Sequence, residues 1–212
     1  MENFKTNQEG FWAGEFGDEY IDRNDTGQLI SGNLSLFNKI LNSVHQADSL
    51  IEFGSNIGLN LVALKALLPN TDFTAIEINK KAIERLEKMD FVTPINKSIL
   101  EVDLDEEFDF VLIKGVLIHI NPEYLNTVYE KLYSASKRYI CLVEYYNPTP
   151  VELDYRGHSG KLYKRDFAGE MLDKYLDLRL LDYGFTYHRA PICPQGDANW
   201  FLLEKQNFSP VS

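Results

Sequence analysis

Short runs of apolar, β-favouring residues alternate along the chain with longer stretches whose apolar positions recur at helical spacing. The runs predict strands over Ser49–Phe53, 73–78, Val92–Asn96, Phe108–Lys114 and 139–145. Between the first two, Leu61, Val62, Leu64, Leu67 and Leu68 mark one stripe of a helix over 59–68, which Pro69 and Asn70 end. Further helices are expected over 80–89 and 122–135, with Pro122 in a first turn, where its missing N–H would have had no partner. Alternation of this kind folds as a parallel sheet covered on both faces, its crossovers right-handed. The expectation is an α/β chain with a doubly wound, mostly parallel, seven-stranded Rossmann-like sheet.

After the fifth strand the pattern breaks. Residues 146–164 read as a loop, 165–176 as a helix, and 178–187 and 200–205 as a closing antiparallel pair at the sheet edge, joined by a Pro/Gly-containing loop over 190–199. Ahead of the first strand, 29–47 reads as one or two helices and 11–24 is aromatic and acidic. The chain has 212 residues, 44% of them hydrophobic, enough for one well-buried core. One domain over 1–212 is expected, with a helical, lid-like segment at 1–47 and an acceptor-loop insertion at 146–165.

Charge and cysteines narrow the partners. Lys and Arg number 21 against 32 Asp and Glu, a formal net charge of −11, which argues against nucleic acid held by phosphate neutralisation. An anionic small molecule needs only a local group of cations. Cys141 and Cys193 are far apart and offer neither a zinc spacing nor a disulfide framework, so no metal is expected. No run approaches the roughly 20 apolar residues of a membrane span, and the N-terminus lacks a signal-peptide core. A cytoplasmic protein without a membrane partner is expected, its oligomeric state open.

The stretch IEFGSNIGLN, Ile51–Asn60, runs as a buried strand and then breaks at two glycines before the first crossover helix. In open α/β sheets ligands bind beyond the carboxyl ends of the strands, beside such a turn. A dinucleotide site would read G-x-G-x-x-G, with the pyrophosphate on backbone N–H groups. Here the pattern is Glu52-x-Gly54-x-x-x-Gly58. The acid repels a phosphate and attracts an ammonium or sulfonium, which points to a cationic cofactor carrying an amino acid. Glu77 closes the second strand 19 residues beyond Gly58 (77 − 58), near the distance at which a carboxylate accepts ribose hydroxyls.

These residues resemble the class I S-adenosylmethionine-dependent methyltransferases, whose first motif is an acid-x-Gly-x-Gly-x-Gly turn; Asn56 stands where the middle glycine would be. The resemblance implies that Gly54, Ser55, Asn56 and Gly58 line the methionine moiety and that Glu52 faces its ammonium. By the same resemblance Glu77, with neighbouring Ile78, holds the ribose, and Ser98 and Ile99 contact adenine. Lys114, Gly115, Val116 and Leu117 match the fourth motif. Neither the Asn/Asp-Pro-Pro-aromatic tetrad of nucleic-acid amine methyltransferases nor the acids of metal-dependent catechol enzymes stand there. Three longer stretches, FWAGEFGDEYIDRN from Phe11, FDFVLIKGVLIHINPEYL from Phe108 and YYNPTPVELDYRGHSGKLYKRDFAGEML from Tyr145, resemble the pseudaminic acid biosynthesis-associated methylases of bacterial nonulosonic sugar pathways. That resemblance implies transfer to a small-molecule acceptor, an amino- or carboxyl-bearing sugar, with S-adenosylhomocysteine as product. O- or carboxyl-methylation of another metabolite and a catalytically silent cofactor-binding role are the alternatives.

Methyl transfer is an in-line displacement in which positioning and desolvation dominate, and a base is needed only if the acceptor must lose a proton. His119, just past the fourth motif, is the candidate base or acceptor ligand. Glu144, Tyr145, Tyr146 and Asn147 end strand five on the same face, where acidic, aromatic and amide groups orient a sugar. The 154–165 segment gathers Arg156, His158 and Lys161 with further cations, suited to a carboxylate or phosphate on the acceptor. The N-terminal segment folds over the cofactor as a lid in many relatives, which implies Trp12 as an acceptor contact and Tyr20 and Arg23 on the methionine carboxylate; the alternative is a helix whose aromatics dock on the sheet.

Overall fold

The computed structural model describes residues 4–24 and 27–206, so residues 1–3, 25–26 and 207–212 of the expected domain lie outside the described residues. Five parallel strands form its centre: β1 (Ser49–Phe53), β2 (Asp72–Glu77), β3 (Val92–Asn96), β4 (Phe108–Lys114) and β5 (Ser136–Glu144). β8 (Leu178–Thr186) and β9 (Ala198–Lys205) close the sheet antiparallel, giving the order β3-β2-β1-β4-β5-β9-β8. The order reverses between β1 and β4, the switch point at which such sheets bind ligands. Pro94 sits in β3 at the sheet edge, where no ladder bond is lost on its open side.

Period-two alternation sends successive side chains to opposite faces. Leu50, Phe110, Leu112, Tyr139, Cys141 and Val143 pack under α3 (Gly27–Leu41) and α4 (Leu59–Leu67). Ile51, Phe53, Val111, Ile113, Ile140 and Leu142 pack on the other face against α6 (Leu125–Ala135) and α7 (Phe167–Lys174). Both faces of the central strands are therefore buried, which explains their nearly unbroken apolar runs.

Boundaries shift by a few residues. β5 begins at Ser136 rather than Tyr139, and the helix expected over 80–89 is α5 (Lys80–Leu86), with Asn79 as its cap. Pro122 opens a short 3-10 turn before α6, capped by Asn121. One expectation is overturned: 146–164 is not a loop. It contains an antiparallel hairpin, β6 (Val151–Tyr155) and β7 (His158–Lys164), turned at Arg156-Gly157 with φ of 51° and 85°. Two consecutive left-handed residues make the tight turn whose twist suits a hairpin. At the N-terminus α1 (Asn7–Ala13) and α2 (Glu15–Asn24) precede α3. No described helix is long and apolar enough to cross a membrane.

Candidate active site

The turn after β1 builds the floor of the site. Gly54 has φ 76°, and a Cβ there would stand 2.6 Å from Val116 Cγ2; Gly58 has φ 78° and would meet Leu86 at 2.8 Å. Both positions require glycine. Asn56 takes φ 48° without being glycine, and its Oδ1 accepts the Ile57 N–H at 2.7 Å. Asparagine tolerates this left-handed conformation better than most residues, so the turn keeps its shape.

Every backbone N–H from Gly54 to Gly58 is used inside the protein. Gly54 and Ser55 donate to Ile76 O at 2.8 and 3.1 Å, and Gly58 to Ser55 O at 3.0 Å. Asn56 donates to Glu77 Oε2 at 2.7 Å. The turn is not the ring of free donors that a pyrophosphate requires.

Glu77 lies at the end of β2, its other oxygen accepting the Asn79 N–H at 2.8 Å. Each carboxylate oxygen carries a second lone pair, so two further donors can be accepted. Burial pushes its pKa up while the backbone donors oppose the rise. Glu52 is fully buried; Oε1 accepts from Asn60 at 2.6 Å and Oε2 has no partner. Desolvation pushes Glu52 up to about 8, against the Asn60 bond and the Lys114 ammonium. Desolvation in turn pulls Lys114 down, with Glu52 and Glu144 opposing.

A cavity of about 260 Å³ runs along the strand ends, walled by Gly54, Ser55, Asn56, Glu77, Ile78 and Lys114. Ser98, Ile99, Val116 and His119 continue the wall, so most of the expected cofactor residues converge there. Glu52 and Gly58 lie behind it rather than on it. The N-terminal helices roof the cavity with Trp12 and Tyr20. Asn79 holds this roof, donating to Asp18 at 2.8 Å and to Trp12 O at 3.2 Å while capping α5. The Trp12 indole N–H is buried without a partner.

His119 closes a 3-10 turn, Leu117–His119. Glu144 Oε1 accepts the N–H groups of Val116 and Leu117, both at 2.9 Å, so Glu144 positions that turn. The His119 Nδ1–H donates to Lys161 O at 2.6 Å, which leaves Nε2 as an acceptor. Burial pulls His119 down to about 4, only partly offset by that bond. Its ring lies 4.7 Å from Trp12 and 4.8 Å from Tyr155. Tyr155, which the sequence reading did not single out, thus joins Trp12 and His119 through the hairpin. The Tyr20 hydroxyl is pushed up to about 12, first by burial and then by the Tyr155 and Tyr145 hydroxyls, with Arg156 and Arg23 opposing.

Other expected residues are placed elsewhere. Arg23 pairs with Glu19 at 3.1 Å and covers Phe16 rather than the cavity. Lys161 spends its ammonium on Asn7 O at 3.1 Å, and Asn147 its amide on Thr149 O at 2.6 Å. Tyr146 is exposed beside Phe201, and exposed His158 packs edge-on to Phe11 and Phe16. Arg156 is exposed at the hairpin turn, 5.9 Å over the Tyr155 ring. Glu9 was missed; it is buried, borders the cavity and accepts a hydrogen bond from Ser98. The capping-box spacing Thr6-x-x-Glu9 is the signal that would have marked it.

The fold is that of the class I S-adenosylmethionine-dependent methyltransferases. The chain is similar over 98% of its length to the 1,6-didemethyltoxoflavin-N1-methyltransferase of Burkholderia thailandensis, solved with 1,6-didemethyltoxoflavin and S-adenosylhomocysteine (94% of that chain, TM-score 0.69, 12% identity). It is also similar to the plantazolicin methyltransferase BpumL in complex with S-adenosylhomocysteine (94% of each chain, TM-score 0.65, 13% identity). A third likeness is to the magnesium protoporphyrin IX methyltransferase of Synechocystis PCC 6803 with bound S-adenosylmethionine (96% of this chain, 100% of that one, TM-score 0.64, 11% identity). No protein-family model matches the chain, and neither does a curated protein sequence.

Proposed function

We propose that the protein transfers a methyl group from S-adenosylmethionine to a small polar metabolite, an amino- or carboxyl-bearing sugar of a nonulosonic acid pathway, free or nucleotide-linked. The observation that carries the cofactor reading is the turn itself: its N–H groups are internally committed and an orphaned carboxylate stands behind it. Such a site disfavours phosphate and favours a cation. The residues fit the cofactor. Glu52, whose carboxyl burial holds up at about 8, ionises against the cofactor's ammonium from behind the turn, and Glu77 has lone pairs left for two ribose hydroxyls. When bound, the cofactor supplies an activated methyl group on a sulfonium.

The acceptor is read from the roofed end of the cavity, where Trp12, Tyr20, His119 and Tyr155 gather. Aromatic faces cover a sugar ring, and Arg156 stands near for an acidic group. His119 favours nitrogen over oxygen as the methylated atom. A ring held neutral down to about 4 is a weak base for a hydroxyl, but its Nε2 accepts from the N–H of a neutral amine and aims its lone pair. The sugar class rests on the resemblance of the three long stretches described above.

Mass spectrometry of reactions containing the protein, S-adenosylmethionine and a panel of pathway sugars tests this. The expected result is an amino sugar heavier by one methyl group, with turnover reduced about 100-fold in His119→Asn. No methylated sugar in tubes where cofactor binding is verified would overturn the sugar assignment.

A further inference from the structure

Glu9 is a buried carboxylate that the mechanism above does not use. It projects from α1 in the roof, and its two oxygens have separate tasks. Oε2 accepts the Thr6 N–H at 2.7 Å and the Thr6 hydroxyl at 3.1 Å, closing the capping box. Oε1 accepts the Ser98 hydroxyl, and Ser98 Oγ in turn accepts the Leu100 N–H at 3.1 Å. Oε1 therefore keeps one lone pair, at the wall of the cavity. Ile78, Ile99 and Leu100 give the same cavity apolar wall, and Glu9 and Glu77 are the carboxylates that line it. This lining lies on the β3 side of Glu77, where a base attached to a ribose held by Glu77 must go. A flat heterocycle with an N–H donor on its rim satisfies such a slot. A rim carbonyl would face the carboxylate and be repelled.

We propose that Glu9 reads the exocyclic amine of the cofactor's adenine, so that the roof helix α1 determines which nucleoside the enzyme accepts. The inference rests on the methyltransferase reading. It adds a specificity residue contributed by the N-terminal segment rather than by the sheet. Ser98 has a positioning role, since its hydroxyl holds Glu9 Oε1 at the wall. The carboxylate that meets the base is thus the same one that caps α1.

Calorimetric titration of the full chain with S-adenosylhomocysteine and with its deaminated analogue S-inosylhomocysteine tests the proposal. The analogue replaces the amine by a carbonyl oxygen and leaves ribose and amino acid intact. The wild-type protein is expected to prefer the adenosyl ligand by about 100-fold, because a buried acceptor left facing an acceptor is poorly tolerated. In Glu9→Gln, whose amide can donate to the carbonyl, the ratio is expected to shrink at least about 10-fold. Equal weakening of both ligands in Glu9→Gln would assign the carboxylate a purely structural role and overturn the proposal. Should Glu9→Gln not fold, the wild-type comparison decides alone: equal affinities overturn the proposal. Binding of neither ligand by the wild-type protein overturns the cofactor reading along with it.

Discussion

Asn56 donates its N–H to Glu77 and turns through φ 48°, so one residue both shapes the turn and fixes the carboxylate that closes β2. Around it the site concentrates buried charge: Glu52, Glu77, Lys114 and Glu144 all have shifted pKa values. Two of these shifts give stability a definite pH dependence. A glutamate in the unfolded chain titrates near 4.5, whereas burial holds Glu144 at about 7 and Glu52 at about 8. Between those values the folded state keeps protons the unfolded chain has released, so the contribution of these two groups is full below about 4.5 and falls as pH rises towards 8. His119 acts on the acid side: folded it stays neutral to about 4, unfolded it protonates near 6.5, and stability falls as pH drops through that window. Urea unfolding at successive pH values should show Glu52→Gln flattening the decline between pH 5 and 8, by at most about 1.4 kcal/mol per pH unit. Parallel curves for the two proteins would assign the decline to other groups.

Among the elements, the N-terminal helices roof the cavity and the hairpin braces them from behind. α1 is fastened to the sheet through Glu9 and Ser98, and to β7 through Gln8, which donates to Gly160 O at 3.0 Å. Asn79 fastens α2 and the end of α1 to the top of α5. Asn79→Ala removes both ties and the helix cap, and is expected to cost about 1 kcal/mol of stability. Stopped-flow measurements should show S-adenosylhomocysteine leaving several-fold faster. An unchanged off-rate would mean that the roof opens elsewhere. The hairpin illustrates what the sequence concealed. Its turn is Arg156-Gly157 instead of Asn-Gly, and Gly160 interrupts β7, so alternation was too weak to read as two strands. The central strands were legible because burial on both faces leaves few polar positions within them, Glu52 and Thr74 among the exceptions. The glycine turn was legible because its backbone admits few residues. Tyr155 and Glu9 were not, since long-range packing between the hairpin, α1 and the strand ends brings them to the site.

At the scale of the molecule, 11–13% identity coexists with similarity over nearly the whole chain in the three solved structures compared above. What such distant chains share is the fold, which many sequences satisfy. The acceptor end proposed above draws on the roof and the hairpin rather than on the sheet. In the reading proposed above the switch-point cavity binds S-adenosylmethionine rather than a dinucleotide. Calorimetry of the full chain with S-adenosylhomocysteine and, separately, with reduced nicotinamide dinucleotide tests it most directly. One S-adenosylhomocysteine is expected to bind per chain, with affinity at least about 10-fold weaker in Glu77→Ala, and the dinucleotide is expected not to bind. Dinucleotide binding without S-adenosylhomocysteine binding would contradict it.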